Sequence, residues 1–264
     1  MSDIGQDNSS ALAPLAQHII ELRQRLMWAL CAMVLGTAIS FIFVEQIYSF
    51  LVAPLASVMA EGDNQRLIYT GLTEAFFTYF KVAFFTGIFL TFPILLIQVW
   101  GFVAPGLYKN EKKAFLPFLV FTPFLFFMGG LVVYYVVLPL ALPFLLSFQT
   151  TGAETSLPLQ LEARVSEYLD FIMTLIFAFG LCFQMPVILT LLGQVGMITA
   201  DSLASKRKYA IIIVFIIAAF ITPPDVISQI ALAVPLLGLY ELSIVLIRNV
   251  SNKSDISKNE PENP

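Results

Sequence analysis

The stretch QVWGFVAPGLYKNEKK, residues 98–113, lies between two long apolar runs and combines two kinds of surface. Its first half is aromatic and apolar and includes Phe102, whereas its second half carries one carboxylate, Glu111, among three lysines. The pair Pro105-Gly106 predicts a turn between the halves. We interpret the stretch as a membrane-surface loop that fits a partner cationic at one end and apolar at the other. The alternative is an ordinary interfacial loop with aromatic and basic residues.

The composition points to lipid as the main solvent of the chain. It has 264 residues, of which 58% are hydrophobic and 12% are charged, about half the charged fraction of roughly 25% in soluble domains. No basic face or stripe stands out, which argues against a nucleic-acid partner. The two cysteines fall inside apolar runs and are too few for a metal cluster or a disulfide framework.

Apolar runs predict an all-α membrane protein with six spans. The runs cover residues 26–44, 76–99, 115–138, 168–192, 209–221 and 230–247. The fifth run would be only about 20 Å long as a helix, whereas the hydrocarbon core is about 30 Å thick. Either the bilayer thins there, or protein shields the hairpin, or the ends of the run lie a turn further out. Asp225 follows a double proline and is well placed to cap the last helix.

The polar ends flank a predicted membrane domain over residues 15–248. Residues 15–26 place Leu15, Ile19, Leu22 and Leu26 at helical spacing, which indicates an amphipathic helix at the interface that leads into the first span. Residues 1–14 and 249–264 are polar, and we expect them to be disordered.

The basic residues are distributed unevenly between alternate loops, which predicts the orientation. Eleven of the 14 lysines and arginines fall on one side, and the other three are Arg66, Lys81 and Arg164. Positively charged loops stay in the cytoplasm, so both termini are expected there.

The sequence offers no constellation for catalysis, for metal ligation or for a cofactor. It has a single histidine, no Gly-x-Ser-x-Gly, no cluster of cysteines or carboxylates and no phosphate-binding glycine loop. Gln184 is the deepest strongly polar side chain in the predicted spans. It could bond a neighbouring helix or a backbone carbonyl freed by Pro186.

Six ordered motifs resemble the TatC family, and together they cover almost the whole chain. They are HIIELRQRL (18–26), APL (53–55), the stretch 98–113, YYVVLPLA (134–141), FGLCFQMPV (179–187) and TPPDVISQ (222–229). The resemblance implies a six-helix, concave, glove-like bundle with short fifth and sixth helices. It also implies a receptor that recognises signal peptides bearing two consecutive arginines at the cytoplasmic face.

The resemblance also implies which residues form the signal-peptide site. Glu21 and Glu111 match the two carboxylates implicated in the family, and Phe102 matches its loop aromatic. Arg23 and Arg25, beside Glu21, complete the predicted binding set.

A second set of residues is predicted to serve structure or partner contacts. Pro54, Tyr134 and Asp225 match positions that the family uses on other faces, and Gln229 closes the last motif. Gln184 stands where many members carry glutamate. A role that requires charge is therefore in doubt at this position, whereas a hydrogen-bonding role is not.

The function implied by the resemblance is that of the receptor core of the twin-arginine translocase in the bacterial cytoplasmic membrane. Such a core exports folded proteins with single-span subunits resembling TatA and TatB, uses the proton-motive force, self-associates within the complex and performs no covalent chemistry. Its recognition chemistry follows from the residues. The exposed pair Glu21–Arg25 contributes only about 0.3–0.5 kcal/mol, which is weak enough for an incoming arginine to displace Arg25.

Two other classes of function find less support in the sequence. A secondary transporter of small solutes would be favoured by a buried carboxylate in the spans or by an internal repeat, and neither is evident in the sequence. An intramembrane enzyme would need a nucleophile and a base, and no such pair is found.

Overall fold

The computed structural model describes residues 6–59, 66–103, 112–149, 162–221 and 226–259, without the side chains of 6–18, 100, 102–103, 112–119, 227–228 and 251–259. The described residues are almost entirely helical, which confirms the predicted all-α class. The helices are α1 (Gln6–Ile42), α2 (Val44–Val58), α3 (Glu74–Val103), α4 (Lys112–Val132), α5 (Leu138–Leu146), α6 (Val165–Cys182), α7 (Met185–Gln194), α8 (Ala200–Ser205), α9 (Arg207–Ile221) and α10 (Val226–Asn259). A π-helical turn, Val133–Val137, joins α4 to α5.

Five helical segments in the described part of the chain are long and apolar enough to cross a membrane. They are Ile19–Ile42, Glu74–Val99, Val120–Leu146, Val165–Gln194 and Gln229–Val250. The remaining predicted span is α9, which has 15 residues and is therefore about 22 Å long at 1.5 Å per residue. The fifth apolar helix is thus short, as the sequence predicted. The sixth, expected to be short as well, is not, because its apolar segment Gln229–Val250 has 22 residues.

Two helices continue beyond the predicted spans into the polar ends of the chain. The structure extends α1 back to Gln6 and α10 on to Asn259, so residues 6–14 and 249–259, expected to be disordered, are helical. An existing helix adds one hydrogen bond for each further residue that it orders, so extension is easier than nucleation. The predicted interfacial helix and the first span likewise form one continuous helix. The division into two polar ends and a membrane domain stays a prediction.

The third span ends later than the sequence predicted, at Leu146 instead of residue 138. Pro139 directly follows the predicted end, and proline cannot donate a backbone hydrogen bond. In the structure the π-helical turn precedes it, and Pro139 lies in the first turn of α5, where proline is tolerated.

The chain forms two compact units, Met1–Ile47 with Tyr79–Pro123 and Tyr48–Thr78 with Phe124–Pro264. In the first unit α1 and α3 cross at Gly36 and Gly87. A Cβ added at Gly87 would lie 2.5 Å from the backbone nitrogen of Thr37, so only glycine allows this approach. Small residues at a crossing let two membrane helices approach closely. The crossing fixes α1 against the helix that ends at residue 103.

In the second unit α4 and α6 make a similar close contact. The ring of Phe126 is fully buried and lies over Gly180, where an added Cβ would come within 2.5 Å of it. A Cβ at Gly129 would lie 2.8 Å from the carbonyl oxygen of Phe179. These contacts hold the third and fourth spans together in the core of the unit.

Candidate functional site

The structure places three of the predicted signal-peptide residues on one helix. Glu21, Arg23 and Arg25 lie in the first half of the membrane-crossing part of α1. Phe102 belongs to the last turn of α3, so residues 98–103, predicted to begin a loop, instead continue the helix. The side chain of Phe102 lies outside the described residues. Glu111 lies outside the described residues, as does Asp225 of the second set. The part of the site that the structure describes therefore consists of α1 and the end of α3.

Glu21 is held by Arg25, one helical turn further along α1. The Nε and Nη2 atoms of Arg25 donate to Oε1 of Glu21 over 3.0 and 2.7 Å. The side chains are 28% exposed for Arg25 and 37% for Glu21, so the pair is only partly removed from water. Carboxylate and guanidinium thus form an oriented but accessible ion pair on the surface of α1.

The guanidinium of Arg25 also contacts α3 at Gly101. The space that a Cβ of Gly101 would occupy is filled by Nη1, Cζ and Nη2 of Arg25. The absence of a side chain at Gly101 therefore makes room for the guanidinium between the two helices. Because Phe102 follows directly, the ion pair lies beside the segment that leads into the predicted recognition loop.

Next to this ion pair is a recess of about 380 Å³. It is lined by Glu21, Gln24, Arg25, Trp28 and Gln98. The first four residues are spaced i, i+3, i+4 and i+7, which places them on one face of α1. Gln98 lies on α3, one turn before Gly101. We therefore define the polar recess as these five residues.

A second cavity of about 350 Å³ adjoins the polar recess and is mostly apolar. It is lined by Ile20, Arg23, Gln24, Met27, Trp28 and Cys31. Gln24 and Trp28 line both cavities, so the two are neighbours on the surface of α1. We refer to the second cavity as the apolar groove. Together they offer a carboxylate at one end and hydrophobic surface along α1, the pairing that the sequence placed in the loop of residues 98–113.

The sequence did not predict the polar recess, although two of its residues, Glu21 and Arg25, belong to the predicted binding set. The predicted apolar stripe of α1 is exposed at Ile19, Leu22 and Leu26, and the recess lies on another face of the helix. Gln24, Trp28 and Gln98 are ordinary residues at a membrane interface, so only the α1–α3 contact shows that they share a cavity.

Pro54 and Tyr134 are connected through one carbonyl group in the second unit. Pro54 lies inside α2 and has no N–H to donate to the carbonyl of Phe50, four residues earlier. The Tyr134 hydroxyl donates to that carbonyl over 2.8 Å, and its ring stacks on the Phe50 ring at 4.3 Å. Tyr134 therefore caps the backbone group that Pro54 leaves without a helical partner.

Gln184 and Gln229 also bond backbone carbonyls. The Nε2 of Gln184 donates to the Gly180 carbonyl over 3.2 Å within its own span, at the break between α6 and α7. The Nε2 of Gln229, on α10, donates to the Phe215 carbonyl of α9 over 3.0 Å. The sequence offered Gln184 a neighbouring helix or a backbone carbonyl as its partner. The structure shows a backbone carbonyl, but it is the carbonyl of Gly180 and not the one freed by Pro186.

Sequence reasoning missed a charged cluster at the start of α3. Glu74 accepts hydrogen bonds from the backbone nitrogens of Thr70 and Gly71 over 2.8 and 3.1 Å. It also accepts from the Ser166 hydroxyl over 2.6 Å and lies 3.5 Å from the Arg164 guanidinium. The cluster joins two loops that are distant in sequence, so no local sequence pattern predicts it.

Comparisons with known proteins agree on one family. The model of the TatC family, described as "Sec-independent protein translocase protein (TatC)", matches residues 17–235. The protein of that name from Magnetococcus marinus is 47% identical over 241 residues, covering 91% of this chain and 86% of its own length. The one from Rickettsia prowazekii is 44% identical over 231 residues, covering 87% and 90%.

A solved structure agrees with this assignment. The crystal structure of the twin-arginine translocase receptor TatC superposes with a TM-score of 0.73 at 39% identity, covering 89% of this chain and 99% of that one. The relatives are named as components of a protein translocase, and they give no support to the alternative of a small-solute transporter.

Proposed function

The chain belongs to the TatC family of Sec-independent protein translocase proteins, and from that premise we propose that it is the signal-peptide receptor of a twin-arginine translocase. The observation that carries the proposal is the accessible Glu21 carboxylate at the polar recess, beside the apolar groove. The apolar helices and the family together make the chain a multi-pass membrane protein. Among the residues that the structure describes, no specific feature favours another class of function.

The polar end of the site suits an arginine side chain. A guanidinium makes charge-assisted hydrogen bonds to a carboxylate, and each contributes about 1.5–3 kcal/mol. A lysine ammonium lacks the planar fork, so it is a poorer fit to the same oxygens. Glu21 is the receptor carboxylate on α1, Glu111 adds a second carboxylate, and Phe102 adds an aromatic ring from the end of α3. Arg23 and Arg25 flank the binding carboxylate.

The apolar end suits the hydrophobic core of a signal peptide. Apolar surface removed from water contributes roughly 25 cal/mol per Å². Ile20, Met27 and Cys31 offer such surface along the groove, and Trp28 connects it to the polar recess. A peptide with arginines followed by an apolar segment can therefore occupy both cavities at once.

The wider setting follows from the charge distribution and the family. The protein lies in the bacterial cytoplasmic membrane with both termini in the cytoplasm, so the polar recess opens toward newly made precursors. It works with single-span subunits resembling TatA and TatB, self-associates, and passes folded proteins outward using the proton-motive force. It catalyses no covalent step. A second set of residues shapes the faces that hold the spans together or contact these partners: Pro54, Tyr134, Gln184, Asp225 and Gln229.

Photocrosslinking from the groove tests this proposal. A photoreactive residue at Met27 or Trp28 is expected to crosslink a twin-arginine precursor, and much less a precursor whose two arginines are lysines. The matched control is the same probe at Val245, which is exposed on α10. Equal crosslinking from all three positions, or equal crosslinking of both precursors, would overturn the proposed site.

A further inference from the structure

Arg25 uses only one of the two oxygens of Glu21. Both its Nε and its Nη2 donate to Oε1, and among the residues that the structure describes Oε2 accepts no hydrogen bond. An ionised carboxylate has about four lone-pair sites on its two oxygens. A fork-to-fork pair would use both oxygens, whereas this arrangement leaves one for another donor.

Arg25 is also fixed from its other side. Its guanidinium fills the space beside Gly101, where a side chain would otherwise lie. Moving Arg25 away would leave a gap between α1 and α3, and unfilled space in a contact is destabilising. Arg25 is therefore built into the α1–α3 contact at the same time as it holds Glu21.

The rest of the polar recess offers the groups that a second guanidinium needs. Gln24 and Gln98 carry amide oxygens that can accept N–H donors. Trp28 is 63% exposed and lines the recess, so its ring face is accessible to a stacked cation. A guanidinium has five N–H donors in a plane, which matches a carboxylate oxygen, two amide oxygens and a ring better than an ammonium does.

We propose that Arg25 is a positioning residue that holds Glu21 for the signal peptide, and that the incoming arginine binds Oε2 without displacing it. Gln24 and Gln98 accept the remaining N–H groups, and Trp28 stacks on the guanidinium. The inference rests on the proposed function and replaces the expectation that the incoming arginine displaces Arg25. It also gives Gln98, which the sequence did not single out, a share with Glu21 in the selectivity for arginine over lysine.

Replacing Arg25 separates positioning from competition by the sign of the effect. If Arg25 competed for Glu21, Arg25→Gln would tighten twin-arginine precursor binding, and the lost positive charge would act in the same direction. Positioning predicts weaker binding, by about tenfold, the equivalent of one lost charge-assisted bond. Arg25→Lys keeps the charge but not the fork, so it should lie between Arg25→Gln and the wild type. Unchanged or tighter binding in Arg25→Gln, or wild-type binding in Arg25→Lys, would overturn the proposal.

Gln98 gives a second test that leaves the ion pair intact. Gln98→Met keeps the length of the side chain and removes its amide, so the preference for a twin-arginine over a twin-lysine precursor should fall severalfold. Gln46→Met, at an exposed position on α2, is the matched control. If the two variants show the same preference, the role of Gln98 is refuted. If Arg25→Gln does not accumulate in the membrane, Arg25→Lys decides the positioning role, because wild-type or tighter precursor binding in that variant overturns it.

The failure of this inference can be told apart from the failure of the proposed function. A wild type that binds both precursors equally refutes the proposed function itself. A wild type that prefers arginine, together with an Arg25→Gln variant that binds more tightly, refutes only the positioning role.

Discussion

Gln184 shows at the scale of one residue how a break within a span is accommodated. The backbone N–H of Gln184 donates to Leu181 instead of continuing the helical pattern to Gly180, and the side-chain amide takes over the Gly180 carbonyl. The site is buried, where a carbonyl without a donor is costly. In the structure this side chain therefore acts as a hydrogen-bond donor, which requires no charge.

Substitution of Gln184 should separate hydrogen bonding from charge. We expect Gln184→Leu to lower the free energy of unfolding by about 1–2 kcal/mol, since the Gly180 carbonyl loses its donor. Gln184→Glu should be tolerated, because a protonated carboxyl group can still donate. Thermal unfolding in detergent and export activity are the measurements, with Gln46→Leu as an exposed control. Wild-type stability and export in Gln184→Leu would remove Gln184 from the functional residues.

Pro54 and Tyr134 connect two helical elements of the second unit through the Phe50 carbonyl. A proline inside a helix frees the carbonyl four residues earlier. The π-helical turn that carries Tyr134 is a local widening of the kind that often occurs at functional sites. A proline in α2 and a tyrosine 80 residues later are thus linked through the same carbonyl group.

The two residues should therefore be coupled in a double-mutant cycle. Tyr134→Phe alone should cost about 1 kcal/mol, since it removes the donor from the Phe50 carbonyl. In a Pro54→Ala background the cost should shrink, because the alanine N–H can donate to the same carbonyl. Thermal unfolding of the purified protein measures the coupling, and Tyr135→Phe, an exposed neighbour, is the control. Additive effects of the two changes would contradict the shared carbonyl.

The α1–α3 crossing is the element-scale contact that builds the polar recess. Gly87→Ala should destabilise the protein by about 1–3 kcal/mol, because its Cβ would overlap the Thr37 backbone. Gly238→Ala is the matched control, since nothing lies within 4 Å of a Cβ at that position in α10. Thermal unfolding should show a loss for the first variant only, and precursor binding should fall with it. Equal stability of the two variants would show that the helices do not depend on this approach.

At the scale of the whole molecule, the charge distribution predicts orientation. In a chain with Cys31 and Cys182 replaced by serine, a cysteine at Lys206 should react with an impermeant maleimide only from the cytoplasm. A cysteine at Leu72, in the loop before α3, should react only from the outside. Both side chains are exposed, so access is decided by the side of the membrane. Labelling of position 72 from the cytoplasmic side, with position 206 protected, would show that the orientation is the reverse of the predicted one.

Much of the fold could be predicted from hydrophobic length and proline placement. The break near Pro186 and the short α9 followed from local sequence, because each depends on a few consecutive residues. The continuation of the third span past Pro139 could not be predicted, since it depends on the π-helical turn at 133–137.

The candidate site, like the fold, could be predicted only in part from the sequence. Glu21 with Arg25 is an i,i+4 pair and can be read directly from the sequence. The contact of Arg25 with Gly101 and the recess that includes Gln98 depend on how α1 crosses α3, which no local pattern encodes.

If a carboxylate on α1 selects arginine, the selection is measurable as the binding of precursors to membranes. Wild-type membranes should bind a twin-arginine precursor well and a twin-lysine precursor poorly. Glu21→Ala should lose about 1.5–3 kcal/mol of binding to the first, the contribution of a charge-assisted hydrogen bond, with little effect on the second. Glu111→Ala should weaken binding more than Lys112→Ala, at equal protein level. Equal binding of both precursors by the wild type, or unchanged binding in Glu21→Ala, would contradict the account.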